Sequence, residues 1–439
     1  MAIPRLHLPF RVGEITSVLA DLTVPGRAGG ELTGEFERRF AGRFGRAEAV
    51  AFCRARTAFF HLLHCLDLPP GAEVAITALH VADFVNMIRL AGFKPVVIDL
   101  EPDGFGIDFD DLEAKTGPRT ACVLATALSG HSLDMDRLTD FVARRGMVLI
   151  EDCSQAFSTG YRDRRAGSFG RAAIYSLSML KSVCTLRGGM VVTDDADIAL
   201  RLRQRAAAAG PASRLPLVAE AIKNAIIATA TWRPLFSALV LPLLRLTSGG
   251  GGGRGGGRGR GGGGGRGDRF SRFQKSNKTV VLRQRMPSDL LQAFTWQQAA
   301  LGLRQLATVD DRETCRIHLA ERLRAAIHPD RGVTLPRLAE GGRNTWWLFP
   351  VLAEDPAGLK RFLAVRGIDS AEMLLSALSA EESFATFGFS APNAERLRAR
   401  TLFLPLHSAM TETDVDRVAA AIAAYQAGVS GSGDRGCSR

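Results

Sequence analysis

Between residues 36 and 205 the chain alternates short, almost unbroken apolar runs with stretches whose apolar residues recur at helical spacing. Residues 47–52, 73–77, 95–99, 120–125 and 147–150 are runs of the first kind and predict strands, several ending in small or acidic residues. Residues 57–66, 82–91 and 135–145 are of the second kind and predict helices. Strands alternating with helices imply an α/β large domain built on a mostly parallel sheet with helices on both faces. In such sheets functional side chains gather at the carboxyl ends of the strands. Asp152, just after the Val-Leu-Ile run, occupies such an end.

A second pattern begins at Pro287. Residues 290–306, 310–327, 359–366 and 414–425 have helical periodicity. Residues 345–352 are strand-like, with Pro350 predicting an edge position. Together they predict a smaller α+β C-terminal domain over 279–426, followed by a disordered tail, 427–439. Between the halves, residues 215–246 are rich in Ala, Ile and Leu, interrupted by Lys223, Arg233, Pro234, Pro242 and Arg245. Their uninterrupted stretches fall short of the ~20 residues needed to span a bilayer. Two readings stay open: a helical pair covering the protein's own surface, or a peripheral hairpin at a membrane interface. The expected division is thus a large domain over 1–210, an apolar helical insertion over 211–248, a Gly/Arg-rich flexible loop over 249–278, the small domain and the tail. No internal repeat is found.

With 439 residues, 46% hydrophobic and 23% charged, the chain is long enough for two or three domains and ordinary for a globular protein. Wholesale disorder, collagen and a polytopic membrane protein are excluded. Residues 249–267 are only Gly and Arg, so much of the glycine excess and part of the net charge of +11 are local. The basic balance is therefore a weak argument for a nucleic-acid partner. The tract has no aromatic residue on which bases would stack, and a plain connector is expected. Seven scattered cysteines without CxxC spacing predict no disulfide framework and no metal site, and fit a reducing, cytoplasmic compartment. The N-terminus lacks the continuous apolar core of a secretory signal.

Three local features call for one chemistry. Glu151-Asp152-Cys153-Ser154-Gln155-Ala156 follows a buried strand and puts a carboxylate and an amide at its end. Tyr175-Ser176-Leu177-Ser178-Met179-Leu180-Lys181 sets a lone lysine between an apolar strand and Gly188-Gly189. Ala55-Arg56-Thr57-Ala58 opens a helix after a strand, where unpaired N–H groups and the helix dipole favour a phosphate. A phosphorylated pyridine aldehyde uses all three: the lysine forms a Schiff base, the aspartate keeps the ring nitrogen protonated, and the helix start holds the phosphate. Burial among apolar neighbours would lower the lysine pKa toward the neutral amine this needs. Taken singly, an Asp after a strand also serves as a turn residue, and an isolated Lys is usually solvated.

The chain resembles the DegT/StrS family of sugar aminotransferases that use pyridoxal 5'-phosphate (PLP). The likeness runs from about residue 36 to 424, excluding roughly 206–278. It is carried in order by Phe36-Glu37-Arg38-Arg39-Phe40-Ala41, Pro70-Gly71-Ala72-Glu73-Val74, the run from Ala91-Gly92-Phe93-Lys94-Pro95 to Asp99, and Gly130-His131-Ser132-Leu133-Asp134-Met135-Asp136. The Asp152 and Lys181 segments and Leu404-Pro405-Leu406-His407 follow.

The resemblance implies a fold type I enzyme, built as a homodimer, that moves an amino group from glutamate to a keto-sugar nucleotide in polysaccharide biosynthesis. It makes Lys181 the Schiff-base and proton-shuttle residue and Asp152 the partner of the pyridinium nitrogen. Gln155 would bind the phenolic oxygen, and Ser176, Arg56 and Thr57 the phosphate. Gln155 and Ser176 are also readable as ordinary polar neighbours. Five positions depart from the family pattern. Ala55-Arg56-Thr57 stands for Ser-Gly-Thr, and Leu186-Arg187 for Gly-Glu. Arg283 stands for an Asn that reaches the neighbouring subunit's phosphate, and Trp347 for a frequent His. Val81 occupies the place of the ring-stacking aromatic; adjacent His80 either takes that role or is a structural histidine. The alternatives are a related dehydratase, which Lys181 argues against because those enzymes carry His there, a regulatory scaffold that lost turnover, or RNA binding through the Gly/Arg tract.

Overall fold

A computed structural model describes residues 1–8, 10, 13–14, 18, 20–21, 29–243, 280–328 and 332–433 of the chain. The Gly/Arg-rich loop expected over 249–278 and the last six residues of the expected tail lie outside these.

The first half builds a seven-stranded sheet from β1 (Glu48–Phe52), β2 (Glu73–Thr77), β3 (Lys94–Ile98), β4 (Thr120–Thr126), β5 (Val148–Asp152), β6 (Ala172–Ser176) and β7 (Gly189–Thr193). Their order across the sheet is β1-β7-β6-β5-β4-β2-β3. The pairs from β6 to β3 are parallel, and β7 runs antiparallel to both β1 and β6. Alternate side chains of one strand enter different cores. Cys122 and Leu124 of β4 join one buried cluster, while Val123 and Ala125 join another. Burial on both faces is why these strands read as unbroken apolar runs rather than as alternation.

Helices α1 (Gly29–Arg43), α2 (Ala55–Leu63), α3 (Asp83–Leu90), α4 (Phe109–Lys115), α5 (Met135–Arg144) and α6 (Ala196–Ala207) belong to the same half. Next comes α7 (Arg214–Ala230), joined through a 67° bend to a second helical arm, Arg233–Leu243. No single helix among the described residues is long and apolar enough to cross a membrane. The inner side of the pair is packed on the protein, with Leu217 and Ala221 against Leu186 and Leu301, and Ile227 against Leu6 and Leu8.

The second half forms an antiparallel sheet, ordered β8-β9-β11-β10, from β8 (Val333–Thr334), β9 (Phe349–Ala353), β10 (Ala371–Glu372) and β11 (Thr401–Leu404). Helices α8 (Trp296–Leu306), α9 (Val309–Ala326), α10 (Pro356–Val365), α11 (Pro392–Arg400) and α12 (Glu412–Gly433) accompany it. Four local readings change. The strand expected from 345 begins only at Phe349, because Trp346 takes a left-handed conformation with φ 51°. Pro350 lies in an interior strand, at a position that β8 does not reach, since β8 pairs only with Leu352 and Ala353. The helix expected from 290 starts at Trp296, where Thr295 and Gln298 form a reciprocal capping box. The last helix continues past Tyr425 into the expected tail, anchored where Gln426 Nε2 donates to the carbonyls of His328 and Val333.

Candidate active site

Asp152 is the final residue of β5 and is buried. Its Oδ1 accepts the Ser154 N–H at 2.9 Å. His80 Nε2 stands 3.1 Å from Oδ2, within pairing distance but not aligned as a hydrogen bond. Burial works to raise the Asp152 pKa, yet the His80 imidazole and Ser154 outweigh it and hold the carboxyl below its usual value. The neighbouring Glu151 does a different job. It faces away and accepts the N–H groups of Gly167, Phe169 and Gly170 at 2.6–2.7 Å, fixing the turn before β6. Of the two consecutive acids, only Asp152 serves the site.

Lys181 lies in the loop that joins β6 to β7. Desolvation lowers its pKa to about 7, against the pull of the Asp152 charge. Its Nζ lies 3.7 Å from the centre of the Trp347 ring, and the indole Nε1–H donates to the Leu180 carbonyl at 2.7 Å. Leu180 holds φ 72°, an unusual conformation for a residue with a side chain, and the Trp347 bond fastens it. Ser129 and Trp346, at φ 54° and 51°, flank the same site. A concentration of such residues is typical where geometry is set by function. Gly130 makes the approach possible: a Cβ there would lie 2.5 Å from Thr345 Oγ1 and 2.7 Å from the Trp347 nitrogen.

Gln155 is half-buried, and its Oε1 accepts the Ser129 N–H at 2.8 Å, which leaves the amide NH₂ as the free donor end. Ser176, the last residue of β6, shares a hydrogen bond with Ser178 at 2.9 Å. The N-terminus of α2 has no side-chain cap. It rests directly on β7, because a Cβ at Gly189 would fall 2.4 Å from the Ala55 backbone. Arg56 is held by Asp83 at 2.6 Å, and Arg283 binds the other oxygen of the same carboxylate at 2.6 Å. Thr57 is buried and donates its hydroxyl to the Leu290 carbonyl at 2.9 Å, so its backbone N–H is what it offers to an anion.

His80 is buried, with its ring 4.3 Å from that of Phe84 and its Nδ1 3.3 Å from the Val81 carbonyl. The hydroxyls of Thr77 and Thr126, at the ends of β2 and β4, are buried without a hydrogen-bond partner, as is Ser154 Oγ. These polar groups at the carboxyl ends of parallel strands form a floor suited to a polar ligand. Above Lys181 a cavity is lined by Arg5, His7, Arg312, Arg316, Trp347 and His407 among others. The N-terminal segment and α9 thus bring three arginines to this wall, of which Arg5 is paired with Asp369 and Arg316 with Glu313. Sequence alone marked Trp347 only as a substitution; its grip on Leu180 depends on the Trp346 conformation, which no local pattern signals. Among the described residues no group of His, Cys, Asp or Glu could hold a metal ion.

The sequence model of the DegT/DnrJ/EryC1/StrS aminotransferase family matches residues 17–210 and 293–423. The spore coat polysaccharide biosynthesis protein SpsC of Bacillus subtilis is 27% identical over 428 residues, covering 93% of each chain. The GDP-perosamine synthase of Caulobacter vibrioides is 26% identical over 406 residues, 88% of each. The solved structure of the sugar aminotransferase CalS13 from Micromonospora echinospora shares the fold with a TM-score of 0.71 at 22% identity, covering 96% of this chain and 99% of that one.

Proposed function

This chain belongs to the DegT/DnrJ/EryC1/StrS aminotransferase family, and we propose that it transfers an amino group from glutamate to a keto group of a nucleotide-activated sugar. Its cofactor is pyridoxal phosphate. The observation that carries this reading is the Lys181 amine, its pKa lowered to about 7 by burial within reach of the charge of buried Asp152. SpsC and the GDP-perosamine synthase support the sugar-nucleotide class.

The residues present fit the cofactor. The orphaned hydroxyls of Thr77 and Thr126 and the uncapped α2 N-terminus are polar groups that a phosphorylated ring would satisfy. Asp152 would hold the ring nitrogen and Lys181 the aldehyde carbon. The free NH₂ of Gln155 would donate to the phenolic oxygen, His80 would line the ring, and Ser176 with the N–H groups of Arg56 and Thr57 would take the phosphate. When bound, pyridoxal phosphate supplies a carbonyl that condenses with amines and a ring that accepts the electron pair left by a departing proton.

The chain's own residues do the rest. Lys181, neutral for a large fraction of the time near pH 7, would meet the cofactor's carbonyl as a free amine and, once released, would move the proton between the reacting carbons. Asp152, kept ionised by His80 and Ser154, would hold the proton of the ring nitrogen. Trp347 keeps the lysine's neighbour Leu180 in place. Arg312, whose Nη2 donates to Ser182 and Gln305, adds positive charge to the cavity wall, complementary to a donor carboxylate or a sugar diphosphate. A homodimer is the assembly proposed from the family resemblance. The buried, unpaired cysteines Cys53, Cys65, Cys122, Cys153 and Cys184 support a reducing, cytoplasmic compartment.

Borohydride reduction of the cofactor-loaded protein, followed by peptide mapping, should place the pyridoxyl label on Lys181. Spectral titration with glutamate, then with keto-sugar nucleotides, should discharge and restore the cofactor band. A label on another lysine, or no spectral response to any amino donor, overturns the reading.

A further inference from the structure

The helix pair of α7 and the Arg233–Leu243 arm lies outside both segments matched by the family model, which stop at 210 and resume at 293. Its exposed face has an unusual composition. On α7 the outward positions are Arg214 at its start and then Leu215, Ala219, Ile222, Ile226 and Thr229, an apolar stripe at helical spacing. The second arm continues with Trp232, Leu239 and Leu243. Every exposed side chain across residues 215–243 is uncharged, and Thr229 is the one polar exception. Half of the exposed large apolar side chains among the described residues fall in this pair, so they form a patch rather than ordinary scatter. The charges of the pair are turned aside: Lys223 lies 3.7 Å from Glu220, and Arg233 forms a two-pronged bond with Asp414 of α12.

We propose that this face seats on an anionic lipid bilayer, with the two arms lying in the headgroup region. A spanning arrangement is disfavoured because the opposite side of the pair is occupied. Leu217, Ala221, Ile227 and Phe236 are buried against the protein. A peripheral seat needs only the outward stripe. The charge of the chain selects the occupant. The connection between Leu243 and Val280 carries nine Arg and Lys side chains against one acidic residue, Asp268. An anionic bilayer complements that charge, and apolar insertion combined with a basic segment is the two-signal arrangement that gives stable peripheral binding. A second copy of this chain would instead bring an equal positive charge.

The inference does not depend on the transamination reading, and its test does not measure catalysis. The cofactor-loaded full chain is floated with vesicles of phosphatidylcholine alone and of phosphatidylcholine with phosphatidylglycerol. The same is done with the triple variant Ile226→Asp, Trp232→Asp, Leu239→Asp, whose positions are on the outside and leave the core intact. The wild type should rise with the phosphatidylglycerol vesicles and much less with phosphatidylcholine, and the variant should lose at least tenfold in vesicle affinity. Brominated lipid should quench wild-type fluorescence more than that of Trp232→Phe, a readout that holds even if the triple variant misfolds. A wild type that stays below both vesicle types, or quenching unchanged by Trp232→Phe, overturns the proposal. A wild type that does not float, with a triple variant that changes only its size on gel filtration, assigns the face to a second copy instead.

Discussion

Lys181 illustrates how a residue acquires chemistry from its surroundings. Desolvation lowers its pKa to about 7, whereas a solvated lysine titrates near ~10.4. The group is cationic below that value and neutral above it. In protein stripped of cofactor, acylation of Lys181 should therefore rise through about pH 7 while surface lysines respond roughly three units higher; peptide-level mass spectrometry separates the two. Asp152→Asn removes the charge proposed to keep the cofactor's ring nitrogen protonated, so transamination should fall by about 10² to 10⁴. Borohydride should still label Lys181 in that variant, which separates lost chemistry from lost folding. The placement of Lys181, Asp152 and Gln155 at or beyond a strand end was legible because each belongs to an unbroken local run. The contact of His80 with Asp152 was not, since the sequence offered only a stacking role or a structural one. Leu186 falls between. It stands where the family has Gly and does adopt a positive φ of 67°, but its side chain is buried in one cluster with Leu217 and Ala221 of α7. The support for that conformation comes from an element outside the family pattern.

At the level of elements, periodicity located five of the seven strands of the large sheet within a residue or two, because burial on both faces leaves little room for ambiguity. It failed where one backbone angle or a short neighbouring strand decided the outcome, as at Trp346 and Pro350. It also gave no sign of how the first residues are used. Ile3 makes a parallel bridge to Ile368, and Arg5 binds Asp369 through two nitrogens at 2.6 and 2.7 Å, with both side chains buried. This pair ties the segment that carries His7 to the cavity wall. Asp369→Ala removes the carboxylate that two Arg5 nitrogens reach inside the protein, so it should cost about 3–5 kcal/mol in denaturant unfolding. Limited proteolysis should then cut the first ten residues earlier than in the wild type.

The whole chain places two sheets around one site, one bringing the amine and the carboxylate, the other the indole and an arginine-bearing wall. The large sheet was legible in outline, but of the small sheet only the strand at Phe349–Ala353 was. Their junction was not, because the contact of Gly130 with residues 345–347 joins segments far apart in sequence. The Gly/Arg tract stands apart from this machinery in composition. Replacing residues 249–267 by a linker half as long should change stability by only about 0.6 kcal/mol, with cofactor loading and half-reaction rates kept; absorbance and stopped-flow measurements check this. The loop that bears Lys181 has one further consequence, in the order of assembly. It leaves β6 and returns as β7, adjacent antiparallel strands in register from Ser176 and Gly189 onward, so it is a local hairpin closure. Such hairpins form in ~1–10 μs, while the indole wall arrives only when distant segments dock. If the hairpin closes before that docking, the lysine is in place but still hydrated, an ordinary ammonium that condenses with aldehydes only slowly. Docking of the distant segments would then be the step that lowers its pKa and arms the nucleophile.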